Sequence, residues 1–556
     1  MTAADPPLQA GPAPGGTKAP QPRHRESWPG RRPLVWAPRA HTVDVVLPQP
    51  DGTAERRPLR LVGAQEPGYW RADADLAVGT DYAFSVDGGS PVPDPCSTQL
   101  PHGLHGPGRV LDETFRWTDG GWRGADLRRG ALLHLDIPTA TAAGTLDAAA
   151  ELLPATAALG VAGVELSPLA AFDPDLGPAA GVRLFAVHEP YGGPAALQRF
   201  VDAAHAAGLA VVLDLPHRWA VADALGLHAF GPYAVGSRIG PRPGSPWDAD
   251  TPRINLDGSG SRGPRDFLVA DATRWLTEFH VDGLLLDVEV LTDRSAVPFL
   301  GELADAVQSV GAHSGVPRTL LTDGRGLSDR LTTIIGHLLA GELVGSAAAL
   351  ERLADELDRE VTPGAAVPAG RRLRGTPRTA STVVGDLTRL PAAGRAVPWS
   401  DPDGELVTDT AADDRAALLA FAVMAGSPVV LDTEHVPVQG DRHGDRRLVS
   451  WARALLTLRP STLKDLDSPV DLTVDGDVLI GLRGDSALVL AVGPEDAEVD
   501  LTRHLPPPSG VWQVATSWDV DRTHLLAGRL QVPARAAVVL RREDAPATAD
   551  GPGKTR

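Results

Sequence analysis

Between Ala131 and about Leu458 the chain repeats a pattern in which a short apolar run is followed by a helical segment. The first five apolar runs are Leu132–Ile137, Gly163–Pro168, Leu209–Asp214, Phe279–Asp287 and Arg318–Asp323. Repeated strand-then-helix units of this length favour a (β/α)8 barrel, whose site lies at the carboxyl ends of the strands. We therefore predict an α/β fold class built on such a barrel. After Asp323 the pattern weakens, and whether the sixth strand is intact is left open.

Short strands separated by turns flank this region on both sides. We predict an amino-terminal β-sandwich over residues 32–124, the barrel over residues 125–461 and a carboxyl-terminal antiparallel β-sandwich over residues 462–542. The segments 1–31 and 543–556 are rich in Pro and in charged or small residues. Segments of this composition cannot bury enough apolar surface to fold, so both are predicted to be disordered tails.

The charge of the chain restricts its partners. Its formal net charge is −19, from 71 acidic and 52 basic residues. Nucleic acids and anionic membranes are polyanions, so we expect neither as a partner, whereas a neutral sugar is indifferent to this charge. Cys96 is the only cysteine, no apolar run approaches the roughly 18–20 residues of a membrane span, and the first thirty residues lack the apolar centre of a secretory signal. These features predict a cytoplasmic location.

The segment Phe279-His-Val-Asp-Gly-Leu-Leu-Leu-Asp287 reads as a buried barrel strand that ends in one carboxylate. A charged residue at the carboxyl end of such a strand is a candidate catalytic group. Because residues two apart share one face of a strand, Leu285 points the same way as Asp287 and offers it neither a hydrogen bond nor a charge. The sequence therefore predicts a lone, unpinned carboxylate at position 287.

This segment resembles the nucleophile strand of the α-amylase clan of glycoside hydrolases, and the surrounding text is similar to the malto-oligosyltrehalose trehalohydrolase family. The words that carry the resemblance are Phe279–Asp287, Val35-Trp-Ala-Pro-Arg-Ala40, His188-Glu-Pro-Tyr-Gly-Gly193 and Asn255-Leu-Asp-Gly258. The resemblance extends from about Arg32 to Arg542. It implies a retaining enzyme that cleaves the α-1,4 bond next to the terminal trehalose of malto-oligosyltrehalose. It also suggests a carbohydrate-binding module for the amino-terminal sandwich, for which a structural cap is an equal alternative.

Retaining glycosidases need two carboxyl groups, a nucleophile and an acid/base. The resemblance implies that Asp287 is the nucleophile and that Asp323 holds the acid/base position, where the family has a glutamate. It places the transition-state stabiliser at Asp386. The shorter side chain of Asp323 retracts the proton donor by more than an ångström, and a misplacement of about 1 Å costs on the order of a hundredfold in rate.

The residues around these carboxylates depart from the family pattern. Leu285 stands where the family has the arginine that pins the nucleophile, Trp219 replaces a sugar-binding histidine and Arg218 replaces an asparagine. The segment Gly177–Ala180 replaces the family's W-G-Y-D, whose tyrosine stacks on the sugar. These changes predict impaired or altered hydrolysis. The alternative is a non-catalytic glucan-binding or regulatory protein.

The departures also bring new polar groups, His217, Arg218 and Glu289, towards the same end of the barrel. These groups either recruit different chemistry or are solvated loop residues and local salt bridges. The sequence alone does not show whether His217 or Arg218 orients Asp287.

The candidate substrate-binding residues are Asp214, Trp247, Tyr191 and Asn255, and the candidate partner is an α-1,4-glucan or malto-oligosyltrehalose. Each has a structural alternative, because Gly and Asn serve turns everywhere and a tryptophan often packs a loop. The sixteen histidines are scattered without the spacing of a metal site, and there is no phosphate-binding loop. We therefore expect neither a metal nor a cofactor. The oligomeric state is left open.

Overall fold

The structure is a computed structural model that describes residues 30–63, 67–112, 114–127, 129–236, 252–322, 343–344, 395–396, 416, 419–420, 429–432, 443–462, 471–475, 477–491, 495–505 and 510–544. Two antiparallel sheets form its first part. Their strands are β1 (Leu34–Trp36), β2 (Val43–Pro48), β3 (Ala54–Pro58), β4 (Arg60–Leu61), β5 (Tyr69–Arg71), β6 (Asp81–Val86) and β7 (Gly108–Arg109). The orders are β1-β5-β4 and β3-β2-β6-β7. These sheets form the predicted amino-terminal sandwich.

The central part of the chain contains eight parallel strands, which form one sheet, and four short strands that pair antiparallel in twos. The strands of this part are β8 (Ala131–Leu135), β9 (Gly163–Leu166), β10 (Ala170–Phe172), β11 (Val182–Val187), β12 (Ala210–Leu215), β13 (Ala234–Val235), β14 (Arg253–Ile254), β15 (Gly283–Leu286), β16 (Thr319–Thr322), β17 (Leu343–Val344), β18 (Arg395–Ala396) and β19 (Val429–Asp432). The order in the eight-stranded sheet is β17-β16-β15-β12-β9-β8-β19-β18, and its pairings are parallel. The predicted (β/α)8 barrel is confirmed. The sixth strand, β17, pairs with β16 over two residues.

The helices alternate with these strands. They are α1 (Ile137–Ala140), α2 (Leu146–Ala150), α3 (Leu153–Ala158), α4 (Gly193–Ala206), α5 (Arg262–Glu278), α6 (Val288–Leu291), α7 (Phe299–Ser314) and, near the end of the barrel, α8 (His443–Thr462). The sequence predicts one helix over Leu146–Leu159, but the structure has two, α2 and α3. Pro154 explains the break, because a proline is tolerated in the first turn of a helix and not in its middle.

The last part of the chain returns to antiparallel sheets. It contains β20 (Asp471–Asp475), β21 (Val478–Arg483), β22 (Ser486–Ala491), β23 (Ala497–Asp500), the short helix α9 (Leu501–His504), β24 (Gly510–Ser517), β25 (His524–Leu526), β26 (Arg529–Val532) and β27 (Ala537–Asp544). The sheet orders are β20-β21-β22-β27-β24 and β23-β26-β25. This agrees with the predicted carboxyl-terminal sandwich, and β27 continues two residues past the predicted boundary at residue 542.

The burial of the barrel strands on both faces explains their apolar sequence. In β12, Ala210, Val211, Val212 and Leu213 are each at most 1% exposed. Burial on both faces replaces the alternation of a half-exposed strand with a continuous apolar run. One face of β12 contributes Ala210 and Val212 to a small apolar cluster inside the barrel, while Val211 and Leu213 belong to the main core on the helix side.

Trp36 fastens the amino-terminal sandwich to the barrel. Its side chain is buried, its ring meets Tyr233 edge to face at 5.3 Å, and it lies so close to α5 that a Cβ atom at Gly263 would overlap the indole. A glycine is therefore needed there. The hydroxyl of Tyr69 donates a hydrogen bond of 3.0 Å to Asp266 in the same helix. Trp36, in the Val-Trp-Ala-Pro segment, packs between the sandwich and the barrel and is not exposed to a ligand.

A second junction lies at the base of the barrel, which is the amino end of its strands. His205 at the end of α4 places Nδ1 2.9 Å from Asp119 and Nε2 2.9 Å from Asp282. Its ring stacks on Trp122 at 4.7 Å, and His280 contacts Asp119 at 2.7 Å. Since ionised carboxylates only accept hydrogen bonds, both ring nitrogens of His205 must donate, so the ring is an imidazolium. The segment that joins the sandwich to the barrel is thus held by buried charges.

These contacts shift the protonation of both partners. Burial lowers the pKa of His205, but the hydrogen bonds and charges of Asp282 and Asp119 outweigh it, so the pKa is raised overall. Burial raises the pKa of Asp119, but the hydrogen bonds from His280 and His205 outweigh it, so the pKa is lowered overall. The contribution of His205 to stability is complete below its unfolded pKa of about 6.5 and is lost as the pH rises through the folded value.

We therefore expect the unfolding midpoint to fall as the pH is raised from about 6 to about 9, through loss of the imidazolium. Urea titrations followed by tryptophan fluorescence at several pH values measure this. The variant His205→Gln keeps hydrogen bonding but cannot titrate, so its midpoint should be lower at pH 6 and flatter over the same range. His313→Gln, on the exposed end of α7, is the control and should keep the wild-type slope. An equal slope in His205→Gln and the wild type would contradict this assignment.

In the part of the chain that the structure describes, none of the helices combines the length and the apolar character needed to cross a membrane.

Candidate active site

The candidate site lies at the mouth of the barrel, which is the carboxyl end of its strands. Asp287 directly follows β15, and Asp214 lies near the end of the neighbouring strand β12. The register pairs Asp214 with Leu285 and Leu215 with Leu286. After β12 the chain makes a 3-10 helix over His217–Trp219. This turn and the first residue after β15 therefore reach the same level of the barrel.

Arg218 in this turn forms an ion pair with Asp287. Its Nε donates to Oδ2 of Asp287 at 2.8 Å, and its Nη2 lies 2.7 Å from the same oxygen. The side chains are 24% and 25% exposed, so the pair is half-buried and can still be reached from solvent. Charge-assisted contacts of this length are among the stronger hydrogen bonds of proteins. The prediction of a lone, unpinned carboxylate is therefore wrong. The partner of Asp287 is Arg218, which comes from the turn after β12 and not from position 285.

Position 285 itself is apolar and dry. Leu285 is 8% exposed and belongs to the cluster inside the barrel together with Leu132, Val212 and Leu321. Strand alternation puts it on the same inner side as Asp287, as predicted. Leu285 itself therefore offers neither a hydrogen bond nor a charge to Asp287, although its partner in register is Asp214.

The turn that carries Arg218 is anchored in the core. His217 is 1% exposed, and its Nε2 lies 3.7 Å from Oδ2 of Asp271, a fully buried residue of α5. Trp219 is partly buried against the main core, and its backbone N–H donates to the carbonyl of Pro216 at 3.1 Å. The residue that replaces the family's sugar-binding histidine therefore packs, in part, against protein.

Two polar residues inside the barrel escaped the sequence analysis. Glu165 of β9 is buried, and its carboxylate lies 3.5 Å from Nδ1 of His134 in β8. The register pairs these two residues with each other and pairs His134 with Asp432 of β19. Glu165 also pairs in register with Val212, so these polar side chains lie next to the apolar cluster. Their signal in the sequence is a polar residue at an inward position of an otherwise apolar strand.

Tyr191, a predicted substrate-binding residue, is only 9% exposed. Its ring meets His188 edge to face at 4.7 Å, and His188 stacks on Phe172 at 4.1 Å. Burial lowers the pKa of His188 to about 4, so its ring is neutral at pH 7. Burial, with a contribution from Asp136, raises the pKa of Tyr191. Its contact with a sugar stays a prediction.

Asn255, another predicted substrate-binding residue, stabilises a turn. Its side chain is fully buried, its amide donates to the carbonyls of Pro232 and Ser259 at 2.9 and 3.1 Å, and its oxygen accepts from the N–H of Gly258 at 2.9 Å. These contacts agree with the turn alternative. A role in sugar binding stays a prediction.

Three predicted site residues, Asp323, Asp386 and Trp247, lie outside the described residues. The strand before the first of them is described, and its last residue, Thr322, pairs with Leu286. The side chain of Glu289 is likewise outside the description. The roles of these four residues stay predictions.

No group of three or more His, Cys, Asp or Glu side chains within the described ranges could hold a metal ion.

Comparisons with known proteins agree with the resemblance. No family model matches the chain. The chain is 40% identical over 319 residues to the malto-oligosyltrehalose trehalohydrolase of Rhizobium sp. (strain M-11), which covers 55% of this chain and 51% of that protein. It is 41% identical over 300 residues to the protein of the same name from Arthrobacter ramosus, over 53% and 50% of the two chains. The matched region thus spans about half the length of these relatives.

The fold is also shared with solved structures. A pullulanase from Anoxybacillus sp., solved with maltotetraose, superposes with a TM-score of 0.63 at 14% identity and covers 92% of this chain and 86% of that chain. At this identity the likeness concerns the fold alone. Together the comparisons confirm the resemblance to malto-oligosyltrehalose trehalohydrolases and to the α-amylase fold.

Proposed function

We propose that this homologue of malto-oligosyltrehalose trehalohydrolases is an α-glucan hydrolase that cleaves the α-1,4 bond next to a terminal trehalose, with retention of configuration. The observation that carries the proposal is the ion pair between Arg218 and Asp287 at the mouth of the barrel. A carboxylate at the end of a barrel strand, charged and accessible, meets the first need of a retaining glycosidase.

The geometry at Asp287 suits nucleophilic attack. Nε and Nη2 of Arg218 contact Oδ2 of Asp287. Among the described residues no hydrogen bond reaches Oδ1. In the proposed first step, Oδ1 bonds to the anomeric carbon while the bond from that carbon to the trehalose oxygen breaks. Asp323 donates the proton that the leaving oxygen needs.

In the second step a water molecule attacks the same carbon and gives its proton to Asp323, and the ester bond to Asp287 breaks. Asp386 is proposed to stabilise the transition state, and Asp214, Tyr191, Trp247 and Asn255 to line the sugar-binding groove. The proposed partner is an α-1,4-glucan or malto-oligosyltrehalose, and the proposed location is the cytoplasm.

We expect the purified chain to release trehalose from malto-oligosyltrehalose, but at least about a hundredfold more slowly than an intact family member, because Asp323 is one methylene too short. Chromatography of the products from malto-oligosyltrehalose, maltoheptaose and glycogen measures this. Turnover at an ordinary rate, about 1–1,000 per second, would contradict the impaired site. Sugar release from none of the three glucans would contradict the proposed hydrolysis.

A second candidate function is glucan binding without catalysis. The observation that favours it is the buried apolar side chain of Leu285, which offers no charge to the nucleophile position from within β15. Calorimetry with maltoheptaose separates the two functions. Binding of the sugar, unaffected by salt because the sugar is neutral, together with no hydrolysis would support the second candidate.

A further inference from the structure

The guanidinium that contacts Asp287 comes from outside strand β15. The family arginine would stand at position 285, within β15 and two residues before the carboxylate. In this chain the charge comes from the turn after β12, 69 residues away along the sequence. We propose that Arg218 is a positioning residue that has taken over the orientation of Asp287, an inference that rests on the proposed function.

Position 285 cannot supply the contact to Asp287 in this chain. Leu285 packs among apolar side chains, and a leucine has neither a donor nor a charge. Among the described residues, the cation that contacts Asp287 is Arg218, in the turn at the mouth of the barrel.

The turn over His217–Trp219 is restrained enough to set the direction of the Arg218 side chain. Pro216 precedes it with its φ restrained by the ring, and His217 is buried beside the carboxylate of Asp271. On the other side of Arg218, Trp219 packs on the core. An arginine flanked by two anchored residues has few orientations available, so less side-chain entropy is lost when it binds a carboxylate.

The contacts select one oxygen of the carboxylate. Nε and Nη2 of Arg218 lie 2.8 and 2.7 Å from Oδ2 of Asp287. The hydrogen bond from Nε and the close ionic contact of Nη2 at the same oxygen restrict rotation of the carboxyl group about χ2, and so restrict the direction in which Oδ1 points. Catalytic groups must be held within about 0.5 Å of the productive geometry. Arg218 thus holds the carboxylate of Asp287 in position, although it does not belong to β15.

The test uses the full chain with Arg218→Met and Arg218→Lys. Arg218→Met removes both donors and should lower kcat for malto-oligosyltrehalose about a hundredfold while KM changes little, because the carboxylate is misoriented and the groove is kept. Arg218→Lys should retain part of the rate. Guanidinium at low millimolar concentration should restore part of the rate to Arg218→Met. A purely structural arginine would show neither rescue.

Arg199→Met is the matched control. Arg199 pairs with Asp147 at 2.7 Å on the exposed outside of the barrel, so its loss should leave kcat unchanged. An Arg218→Met variant as fast as the wild type would overturn the inference while leaving the proposed hydrolysis intact.

A double-mutant cycle decides the case in which the wild type proves inactive and the proposed function fails. Arg218→Met should lower the thermal midpoint in the wild-type chain and not in an Asp287→Ala chain, because alanine leaves no acceptor for Arg218 there. The same shift in both backgrounds would mean that Arg218 does not hold Asp287, and the inference would be discarded. A shift in the wild-type background alone would keep it.

Discussion

The variant Asp287→Asn should lose release of trehalose from malto-oligosyltrehalose by at least about a thousandfold, because removing the nucleophile of a covalent mechanism costs several orders of magnitude. An amide has the shape of the carboxylate but cannot form the ester to the anomeric carbon. Its side chain can still accept a hydrogen bond from Arg218, so we expect the fold to survive. Product chromatography at high enzyme concentration measures the residual rate, and circular dichroism checks the fold.

Asp175→Asn provides the matched control, since Asp175 is exposed in the turn after β10. It should hydrolyse at the wild-type rate. Undiminished activity in Asp287→Asn would mean that another carboxylate is the nucleophile, and the mechanism proposed here would have to be abandoned. Loss of activity together with loss of the circular dichroism spectrum would instead point to a role in stability.

The variant Leu285→Arg should be destabilised by about 1–3 kcal/mol, because it forces a larger, charged side chain into a packed apolar cluster. Leu285 is 8% exposed and packs against Leu132, Val212 and Leu321. The new guanidinium would also compete with Arg218 for Asp287. Restoring the family's arginine should therefore not restore the family's activity. Urea unfolding followed by tryptophan fluorescence measures the change in midpoint.

Leu176→Arg is the control for this substitution, since Leu176 is 65% exposed. It introduces the same side chain at the surface and should change the midpoint little. A Leu285→Arg variant that is as stable as the wild type and more active would show that the barrel interior accepts a charge. The role of Arg218 as the replacement would then lose its main support.

The strands of the barrel were predictable because their signal is local. A run such as Ala210–Leu213 is apolar at consecutive positions, which is the pattern of a strand buried on both faces of a parallel sheet. The break between α2 and α3 follows from Pro154 and could have been predicted from the sequence as well.

The role of Trp36 required the structure. Its neighbourhood in the sequence left a carbohydrate-binding module and a structural cap as equal alternatives. The structure packs the indole against Gly263, more than two hundred residues further along the chain. Whether an aromatic side chain is presented to a ligand or to another domain depends on which surfaces meet, and no local pattern encodes that.

The sequence by itself determined the barrel, the flanking sheets, the position of Asp287 at a strand end and the apolar character of position 285. Each of these depends on periodicity or on a single residue within one strand. The tertiary structure alone decided what Asp287 contacts. The hydrogen bond from Arg218 joins residues that follow two adjacent strands, β12 and β15. The strand register, the restraint of Pro216 and the burial of His217 beside Asp271 together bring them within 2.8 Å. A contact of this kind depends on the packing of several elements at once, so it becomes visible only when the chain is folded.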